Sequence, residues 1–341
     1  MLSLQKMNVD FNPEYKYFTC SIEDVNTQLN NYGVASVENI LTAEECTIIR
    51  NGIWEEMKKL TKNMKIPLEL DNINSYNLIK SKLYAKHSML IQHYGVGHFQ
   101  SVWDVRQNTR VASVFSKIWD TREEDLITSF DGISIYMPPE MMNSSGFFKN
   151  NLWLHTDQNP YTENLQTIQG LVNLYDVNEG DASLLVLEKS HKYHNTLKYD
   201  DEGKLKDKTK LSDWYKITES EYNRLISLGC NPKICLGKTG SMFLFDSRTI
   251  HSGIEAMNWR NNPNYRMVVY VCMTPRSFAS DKILKKRIKI FEDLRMTSHY
   301  PHKALLFTKN PRTYGGELPN ITPPNKPTLN DLGRRLVGYE Q

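Results

Sequence analysis

The chain lacks most of the features that mark secreted, membrane-spanning or nucleic-acid-binding proteins. It has only five cysteines, an odd number at irregular spacing, which favours a reducing compartment over a disulfide framework. No apolar run approaches the roughly 20 residues that a membrane helix needs, and the N-terminus does not read as a signal peptide. A net charge of +3 leaves no strong positive field for nucleic acid. These absences predict a cytoplasmic protein with no membrane span, and they argue against a nucleic-acid partner.

Length and composition are those of one enlarged globular domain. The chain has 341 residues, of which 40% are hydrophobic and 24% are charged, and this is enough to bury a large core. We predict a polar N-terminal arm over residues 1–30 and a single domain over residues 31–341. The domain is expected to carry a charged insertion near residues 198–210 and a helical extension after residue 280.

Local patterns predict a mainly β fold with flanking helices. Thr42 and Glu45 form a capping box that starts a helix, and Thr218 with Glu221 starts another helix that Gly229 ends. Helical spacing also marks residues 108–120, and strand patterns mark residues 33–40, 126–137, 166–175, 183–188, 232–237, 241–246 and 265–273. These strands predict a double-stranded β-helix, the jelly-roll or cupin-type barrel, whose open mouth can hold a metal.

The most informative pattern is His155-Thr156-Asp157, which is followed far along the chain by His251. Residues two apart in an extended segment point to the same side, so His155 and Asp157 can bind one metal. Two histidines and one carboxylate form the facial triad that holds Fe(II) and leaves other positions open for a co-substrate and O2. We therefore predict that His155, Asp157 and His251 are metal ligands and catalytic residues.

One arginine is a candidate for binding an acidic co-substrate. Arg266 begins an apolar strand pattern that follows the metal ligands. A guanidinium binds a carboxylate through two parallel hydrogen bonds, so Arg266 could pair with the distal carboxylate of 2-oxoglutarate. Its rivals are Arg260, which lies in a polar loop pattern, and Arg248, which directly precedes the His251 segment and could instead touch substrate.

These elements, taken in order, resemble the phytanoyl-CoA dioxygenase-like branch of the Fe(II)/2-oxoglutarate oxygenases. The likeness is strongest over residues 127–275. Its matching segments are Tyr32-Gly33-Val34, Leu41–Glu45, His155-Thr156-Asp157, Ile168-Gln169-Gly170, Leu184–Leu187, Ser190-His191-Lys192, Gly240–Asp246, His251 and Arg266, and the segment His299-Tyr300-Pro301-His302 also looks similar to members of that branch. Glu188-Lys189 departs from the family's usual Pro-Gly, which alters a turn and no ligand. No residues carry over a CoA-thioester site, so phytanoyl-CoA is not implied as the substrate.

The resemblance implies a chemistry and a set of roles. It implies that His155, Asp157 and His251 hold Fe(II), and that Arg266 binds the co-substrate 2-oxoglutarate. With O2, the enzyme would hydroxylate a small-molecule substrate and release succinate and CO2. The further candidates are Gln169 for a hydrogen bond to 2-oxoglutarate, and Tyr136, Trp153, Gln158 and Arg248 for contact with the substrate.

Two other functions remain open from the residues alone. A cupin-type metal-dependent hydrolase or isomerase would use the same three ligands but would not need Arg266. A non-catalytic metal-binding module of the oxygenase fold would need neither Arg266 nor an open coordination position. The presence of all three ligands together with the arginine favours the oxygenase.

Overall fold

The computed structural model describes residues 17–69, 72–78, 82–83, 89–142, 146–149, 152–208, 212–313 and 315–340. Its helices are α1 (Val25–Tyr32), α2 (Ala43–Thr61), α3 (Ile73–Leu78), α4 (Gln100–Arg106), α5 (Thr109–Trp119), α6 (Glu219–Ser227), α7 (Asp281–Glu292) and α8 (Asp331–Val337). Its strands are β1 (Thr19–Cys20), β2 (Val34–Val37), β3 (Leu90–Ile91), β4 (Leu126–Thr128), β5 (Ile133–Tyr136), β6 (His155–Thr156), β7 (Ile168–Asn173), β8 (Ser183–Leu187), β9 (Tyr215–Lys216), β10 (Pro232–Ile234), β11 (Met242–Asp246), β12 (His251–Ile254) and β13 (Arg266–Pro275). Among these described helices, none is long and apolar enough to cross a membrane.

Two sheets form the centre of the fold. Within the described residues, the larger sheet has the order β1-β2-β11-β7-β13-β5-β3, with β4 paired to β13, and the smaller sheet has the order β10-β8-β12-β6-β9. Strands β5 to β8, and again β10 to β13, alternate between the two sheets along the chain. This interleaving is the strand order expected of a jelly roll. The prediction of a sheet-rich fold with flanking helices is confirmed, and closure into a barrel stays a prediction.

An apolar layer lies between the two sheets. Leu171, Phe243 and Val268 from the larger sheet pack in one buried cluster with Leu184 and Val186 from the smaller sheet. The alternate residues of β13 belong instead to the large cluster that includes the buried faces of the helices. Because side chains of a strand alternate between faces, every second residue of β13 counted from Val268 points toward the smaller sheet.

Both predicted capping boxes are present. The Glu45 backbone N–H donates to the Thr42 hydroxyl at 3.1 Å, and the Glu45 carboxylate accepts from the Thr42 backbone N–H at 2.7 Å. The same exchange joins Thr218 and Glu221 at the start of α6. Each box satisfies two backbone donors that a helix start otherwise leaves free, which explains why these two starts were predictable from short sequence patterns.

The chain departs from the sequence prediction at the strand expected over residues 126–137. It forms two strands there, β4 and β5, because Gly132 lies between them against the neighbouring strand β3. A Cβ at Gly132 would lie 2.0 Å from the Ile91 carbonyl oxygen, so only glycine fits this close approach. Strand periodicity cannot reveal such a contact, since Ile91 is distant in sequence.

The predicted N-terminal arm over residues 1–30 lies partly outside the described residues, which begin at residue 17. The described part contains β1, which extends the larger sheet beside β2, and most of α1. The apolar signal of α1 is weak because only Val25 and Leu29 of its eight residues are buried. A tertiary contact with β2 and α5, rather than helix propensity, holds this segment.

A buried arginine ties the predicted C-terminal extension to the sheets. The Arg287 guanidinium on α7 is fully buried and donates hydrogen bonds to four backbone carbonyls. The acceptors are the carbonyl oxygens of Thr128, Pro301, Leu336 and Val337. Because one side chain crosslinks β4, the segment after α7 and helix α8, this extension is a fixed part of the domain.

His98 makes the fold sensitive to acid. Its ring is fully buried against Phe130 and Phe291, and burial lowers its pKa to about 4. Between that pH and the ordinary pKa near 6.5, the unfolded chain binds a proton that the folded chain does not. We expect this residue to lower the free energy of unfolding by about 2 kcal/mol between pH 7 and pH 5. Urea unfolding of the wild type and of His98→Leu at both pH values checks this, and an equal pH dependence in the two proteins would contradict it.

Candidate metal centre

The two predicted histidine ligands lie opposite each other on adjacent strands. His155 on β6 and His251 on β12 are register partners, and His251 also pairs with Val186 on β8. Since Val186 belongs to the layer between the sheets, His251 points into the same space. Its ring lies 4.4 Å from the ring of Phe245 on the larger sheet, measured between centroids. The pair therefore sits between the sheets at one end of that layer.

Asp157 completes a three-residue cluster with the histidines. One ligand atom from each of His155, Asp157 and His251 lies within 4.8 Å of the other two. The Asp157 Oδ1 is 3.3 Å from His155 Nε2, and the Asp157 Oδ2 is 3.4 Å from His251 Nε2. Two imidazole nitrogens and one carboxylate thus converge on one point, which is the donor set of a facial triad.

The orientation of both rings leaves their Nε2 atoms available for a metal. His155 Nδ1 lies 2.8 Å from the Trp153 carbonyl oxygen, and His251 Nδ1 lies 3.0 Å from the Thr249 carbonyl oxygen. A carbonyl only accepts, so each Nδ1 carries a proton and each Nε2 is the ring nitrogen that remains to bind a metal. Burial lowers the pKa of His251 to about 4, so this imidazole is neutral at pH 7.

Asp157 is kept ionised and held in place from two sides. Burial acts to raise the pKa of Asp157, but the nearby imidazoles of His299 and His251 outweigh it, so the pKa lies below the ordinary range. The Gln169 amide donates a hydrogen bond to Asp157 Oδ2. The Tyr300 hydroxyl donates to the Asp157 backbone carbonyl. An ionised carboxylate, together with imidazoles that can release a proton, is what a divalent metal requires of its ligands.

Gln169 thus contacts the predicted metal ligand Asp157. It was predicted to contact the co-substrate. On β7 it pairs with Phe245 and Cys272 and shares the inward face with Leu171. Its predicted hydrogen bond to 2-oxoglutarate stays a prediction, while its bond to Asp157 fixes the carboxylate. The sequence could not distinguish these roles, because both need an amide on the same face of β7.

Gln169→Leu is expected to weaken Fe(II) binding about 10- to 100-fold, the usual cost of removing a hydrogen-bond partner from a metal ligand. Anaerobic titration of the metal-free protein with Fe(II) measures this. Gln166→Leu is the matched control, because the side-chain amide of Gln166 donates to the Asn164 carbonyl at 3.3 Å and, among the described residues, does not contact the cluster. Equal affinities of wild type and Gln169→Leu would contradict the positioning role.

The C-terminal extension supplies two site residues that sequence reasoning did not assign. His299 and Tyr300 follow α7 and lie beside Asp157, as the hydrogen bond from Tyr300 and the effect of His299 on the pKa of Asp157 both require. Within the described residues, His299 Nε2 is buried without a hydrogen-bond partner. The only signal in the sequence was the likeness of the segment His299–His302 to other members of the oxygenase branch.

The three candidate arginines differ in whether a carboxylate already neutralises them. Arg248 forms an ion pair with Asp246 at 2.6 Å, and the buried Arg260 bonds to Glu140 at 2.7 Å and to Asp181 at 2.9 Å. Both rivals are therefore held by acids of the protein itself. The substrate contact predicted for Arg248 stays a prediction, and its guanidinium lies on Asp246.

Arg266 is buried and has no carboxylate partner within the described residues. It begins β13, and its guanidinium donates to the Ser134 hydroxyl on β5. Ser134 pairs with Val268, two residues beyond Arg266. The Arg266 side chain therefore reaches along β13 toward Cys272, which pairs with Gln169. Arg266 thus presents an uncompensated positive charge to the space between the sheets, on the side that leads to Asp157.

The remaining candidates for substrate contact fall into two groups. Gln158 is buried, and its amide bonds to the carbonyls of Thr162 and Asn164 at 2.6 and 2.9 Å, so it holds its own loop together. The Tyr136 hydroxyl accepts from the Ala256 backbone N–H at 3.1 Å and is likewise engaged inside the protein. Trp153 is different, since its side chain is 43% exposed next to the ligand His155.

Comparison with known proteins places the chain among others of similar fold. No family model matches it. A protein of Aspergillus versicolor, Ava biosynthesis cluster protein O, is 29% identical over 271 residues, which cover 76% of this chain and 84% of that protein. Among solved structures, a putative oxidoreductase from Salmonella typhimurium LT2 has a TM-score of 0.61 and 13% identity, covering 95% of this chain and 86% of that one. A hypothetical protein from Escherichia coli, JW0805, has a TM-score of 0.60 and 14% identity with the same coverage. These two structures share the fold of this chain.

Proposed function

We propose that this protein is an Fe(II)- and 2-oxoglutarate-dependent oxygenase, of the phytanoyl-CoA dioxygenase-like kind, that hydroxylates a small organic molecule. The observation that carries the proposal is the convergence of His155, Asp157 and His251, with each Nδ1 on a backbone carbonyl and each Nε2 facing the carboxylate. Three protein ligands on one side leave the remaining octahedral positions open for a bidentate keto acid and O2.

The donor set fits Fe(II), is shared by catalytic zinc sites, and differs from the donor sets that structural zinc, Mg2+ and Ca2+ prefer. Structural zinc takes four protein ligands, usually with sulfur, and no cysteine belongs to this cluster. Mg2+ and Ca2+ prefer oxygen ligands throughout. Two imidazoles and one carboxylate, each oriented by a further hydrogen bond, suit a redox-active iron with exchangeable positions.

Arg266 and Ser134 supply a positive charge and hydrogen-bond donors for the carboxylate of a dicarboxylic co-substrate that lies away from the metal. A buried guanidinium without an acidic partner is costly unless an anion neutralises it. The strand from the level of Val268 to the level of Cys272 spans about 13 Å, at roughly 3.3 Å per residue. That length accommodates a five-carbon dicarboxylate that is chelated at the metal by one end and paired with Arg266 at the other.

The roles of the residues follow from this placement. When bound, Fe(II) and 2-oxoglutarate supply the oxidising chemistry, in which one O2, one 2-oxoglutarate and one substrate C–H yield a C–OH, succinate and CO2. His155, Asp157 and His251 hold the metal on one face. Gln169 orients the carboxylate of Asp157, Tyr300 anchors the backbone of that residue, and Arg266 with Ser134 orients the keto acid.

A small-molecule substrate is supported by the relative in Aspergillus versicolor, which is named as a biosynthesis cluster protein. A hydrolase or isomerase would use the same ligands, but it would give Arg266 no anionic partner. The unpaired Arg266 therefore favours the oxygenase over that function.

The test is direct. Under anaerobic conditions, addition of Fe(II) and then 2-oxoglutarate to the metal-free protein should produce the visible charge-transfer absorption of a keto acid chelated to iron. Admission of O2 should then produce succinate in an Fe(II)-dependent manner. A protein that binds Fe(II) but neither develops the absorption nor binds 2-oxoglutarate would overturn the proposal.

A further inference from the structure

Two tryptophans are exposed directly beside the proposed metal centre. Trp153 has 43% and Trp214 has 41% of its surface accessible. Their rings are in edge-to-face contact, with centroids 5.2 Å apart and planes inclined at 64°. The two indoles therefore form an open corner, in which one wall offers a ring face and the other offers a ring edge.

The corner is rigidly coupled to a metal ligand. The Trp153 ring stacks on the His155 ring with 4.0 Å between centroids and 26° between planes. The Trp153 carbonyl accepts from His155 Nδ1, and its N–H donates to the Ser252 hydroxyl at 3.3 Å. Anything that packs against Trp153 is thereby placed next to the metal.

Strand pairing fixes the second wall. Trp214 immediately precedes β9, whose residues Tyr215 and Lys216 pair with Thr156 and His155 of β6. Backbone hydrogen bonds thus set the position of Trp214 relative to the ligand strand. Trp153 likewise lies two residues before His155 of β6, so both indoles are placed where a segment enters a paired strand. Exposed aromatic rings beside a candidate site are a feature of binding sites.

The third side of the mouth is formed by the C-terminal extension. Tyr300 bonds to the Asp157 carbonyl, and Lys303 Nζ lies 4.2 Å from the centroid of the Tyr300 ring. Asp213, next to Trp214, acts electrostatically on both Tyr300 and Lys303, so the two segments are neighbours. The C-terminal extension and the segment of Trp214 therefore lie together beside Asp157, with polar groups next to the aromatic corner.

We propose that Trp153 and Trp214 form a stacking site for a planar, aromatic small molecule, and that this is the substrate class of the enzyme. Aromatic rings prefer offset-stacked or edge-to-face contacts, and the corner offers both to one planar ring. A saturated ring of the same size would bury similar area but would gain neither contact. The reaction of such a substrate rests on the function proposed above, whereas its binding does not.

The test compares two bicyclic alcohols with the same carbon skeleton, one aromatic and planar and the other saturated. Binding of 2-naphthol and of decahydro-2-naphthol to the full-length metal-free protein is measured by calorimetry. We expect 2-naphthol to bind about three- to tenfold more tightly, the range that aromatic contacts add beyond burial. Trp153→Leu and Trp214→Leu should each abolish this preference, and Trp214→Phe should retain it.

The matched control is Trp259→Leu. Trp259, in the connection between β12 and β13, is 49% exposed and packs over the turn at Gly180 between β7 and β8. Its loss should leave the preference for 2-naphthol unchanged, and circular dichroism should show that all variants are folded. The proposal is overturned if the two alcohols bind equally, if 2-naphthol does not bind, or if the preference survives in Trp153→Leu and Trp214→Leu.

The binding of the two alcohols, compared with the binding and turnover of 2-oxoglutarate, separates this inference from the proposed function. Selective binding of 2-naphthol to a protein that fails to bind 2-oxoglutarate would leave the aromatic site in place and remove the oxygenase. Succinate formation without any selectivity for 2-naphthol would leave the oxygenase in place and remove the aromatic site.

Discussion

Asp157→Ala should reduce Fe(II)-dependent succinate formation at least about 100-fold, because a lost ligand must cost more than the 10- to 100-fold that a lost partner of a ligand costs. The substitution removes the only anionic donor of the cluster and leaves two neutral imidazoles. Iron affinity should fall in parallel. Excess Fe(II) should restore little activity, because iron held by two imidazoles alone lacks the third donor of the triad. Initial rates of succinate formation and anaerobic Fe(II) titrations measure the two effects.

Asp104→Ala provides the matched control for that experiment. Asp104 is an exposed aspartate on α4 whose carboxylate bonds to the Gln100 side chain at 2.8 Å. Its replacement should leave both the rate and the iron affinity within about twofold of wild type, as is usual for exposed positions. A rate in Asp157→Ala within about threefold of wild type would show that Asp157 is not a ligand.

Arg266→Ala should raise the KM for 2-oxoglutarate about 30- to 1000-fold, because truncating one partner of a buried charge pair costs about 2–4 kcal/mol. The kcat should recover toward the wild-type value at saturating 2-oxoglutarate, since the metal ligands and the substrate mouth are untouched. Arg266→Lys should lie between, because it retains the charge and loses the two-pronged geometry. Steady-state succinate assays over a range of 2-oxoglutarate concentrations measure both constants.

Arg122→Ala is the comparison for Arg266→Ala. Arg122 is 71% exposed at its side chain and pairs with Glu124 and Asp125 on the surface. It should change neither constant. An unchanged KM in Arg266→Ala would transfer the carboxylate-binding role to another group, and it would remove the main reason for preferring an oxygenase to a cupin-type hydrolase or isomerase.

The two variants together distinguish the candidate functions. An oxygenase loses activity in Asp157→Ala at any 2-oxoglutarate concentration, but in Arg266→Ala only at low concentration. A hydrolase or isomerase on the same three ligands would lose activity in Asp157→Ala and would be indifferent to 2-oxoglutarate in both proteins. A non-catalytic module would bind metal through the same residues and show no turnover.

Short-range patterns explain why the pairing of His155 with Asp157 and the main helices were predictable. His155 and Asp157 are two residues apart on an extended segment, so their common direction follows from strand geometry alone. The capping boxes at Thr42 and Thr218 are likewise contained within four residues. The apolar strand before His251 is a continuous run whose buried character needs no partner to be recognised.

Contacts between distant segments had to come from the tertiary structure. Gln169 meets Asp157 across the sheet, and Tyr300 reaches the same residue from an extension 143 positions along the chain. Trp214 acquires a role only because β9 pairs with β6. The sequence does not show which of the three arginines has a charge partner. Folding brings acids to Arg248 and Arg260, whereas within the described residues Arg266 meets a hydroxyl and no carboxylate. Residue types and local periodicity predict which chemistry is present, whereas the pairing of charges and the walls of the site depend on long-range packing that no local pattern encodes.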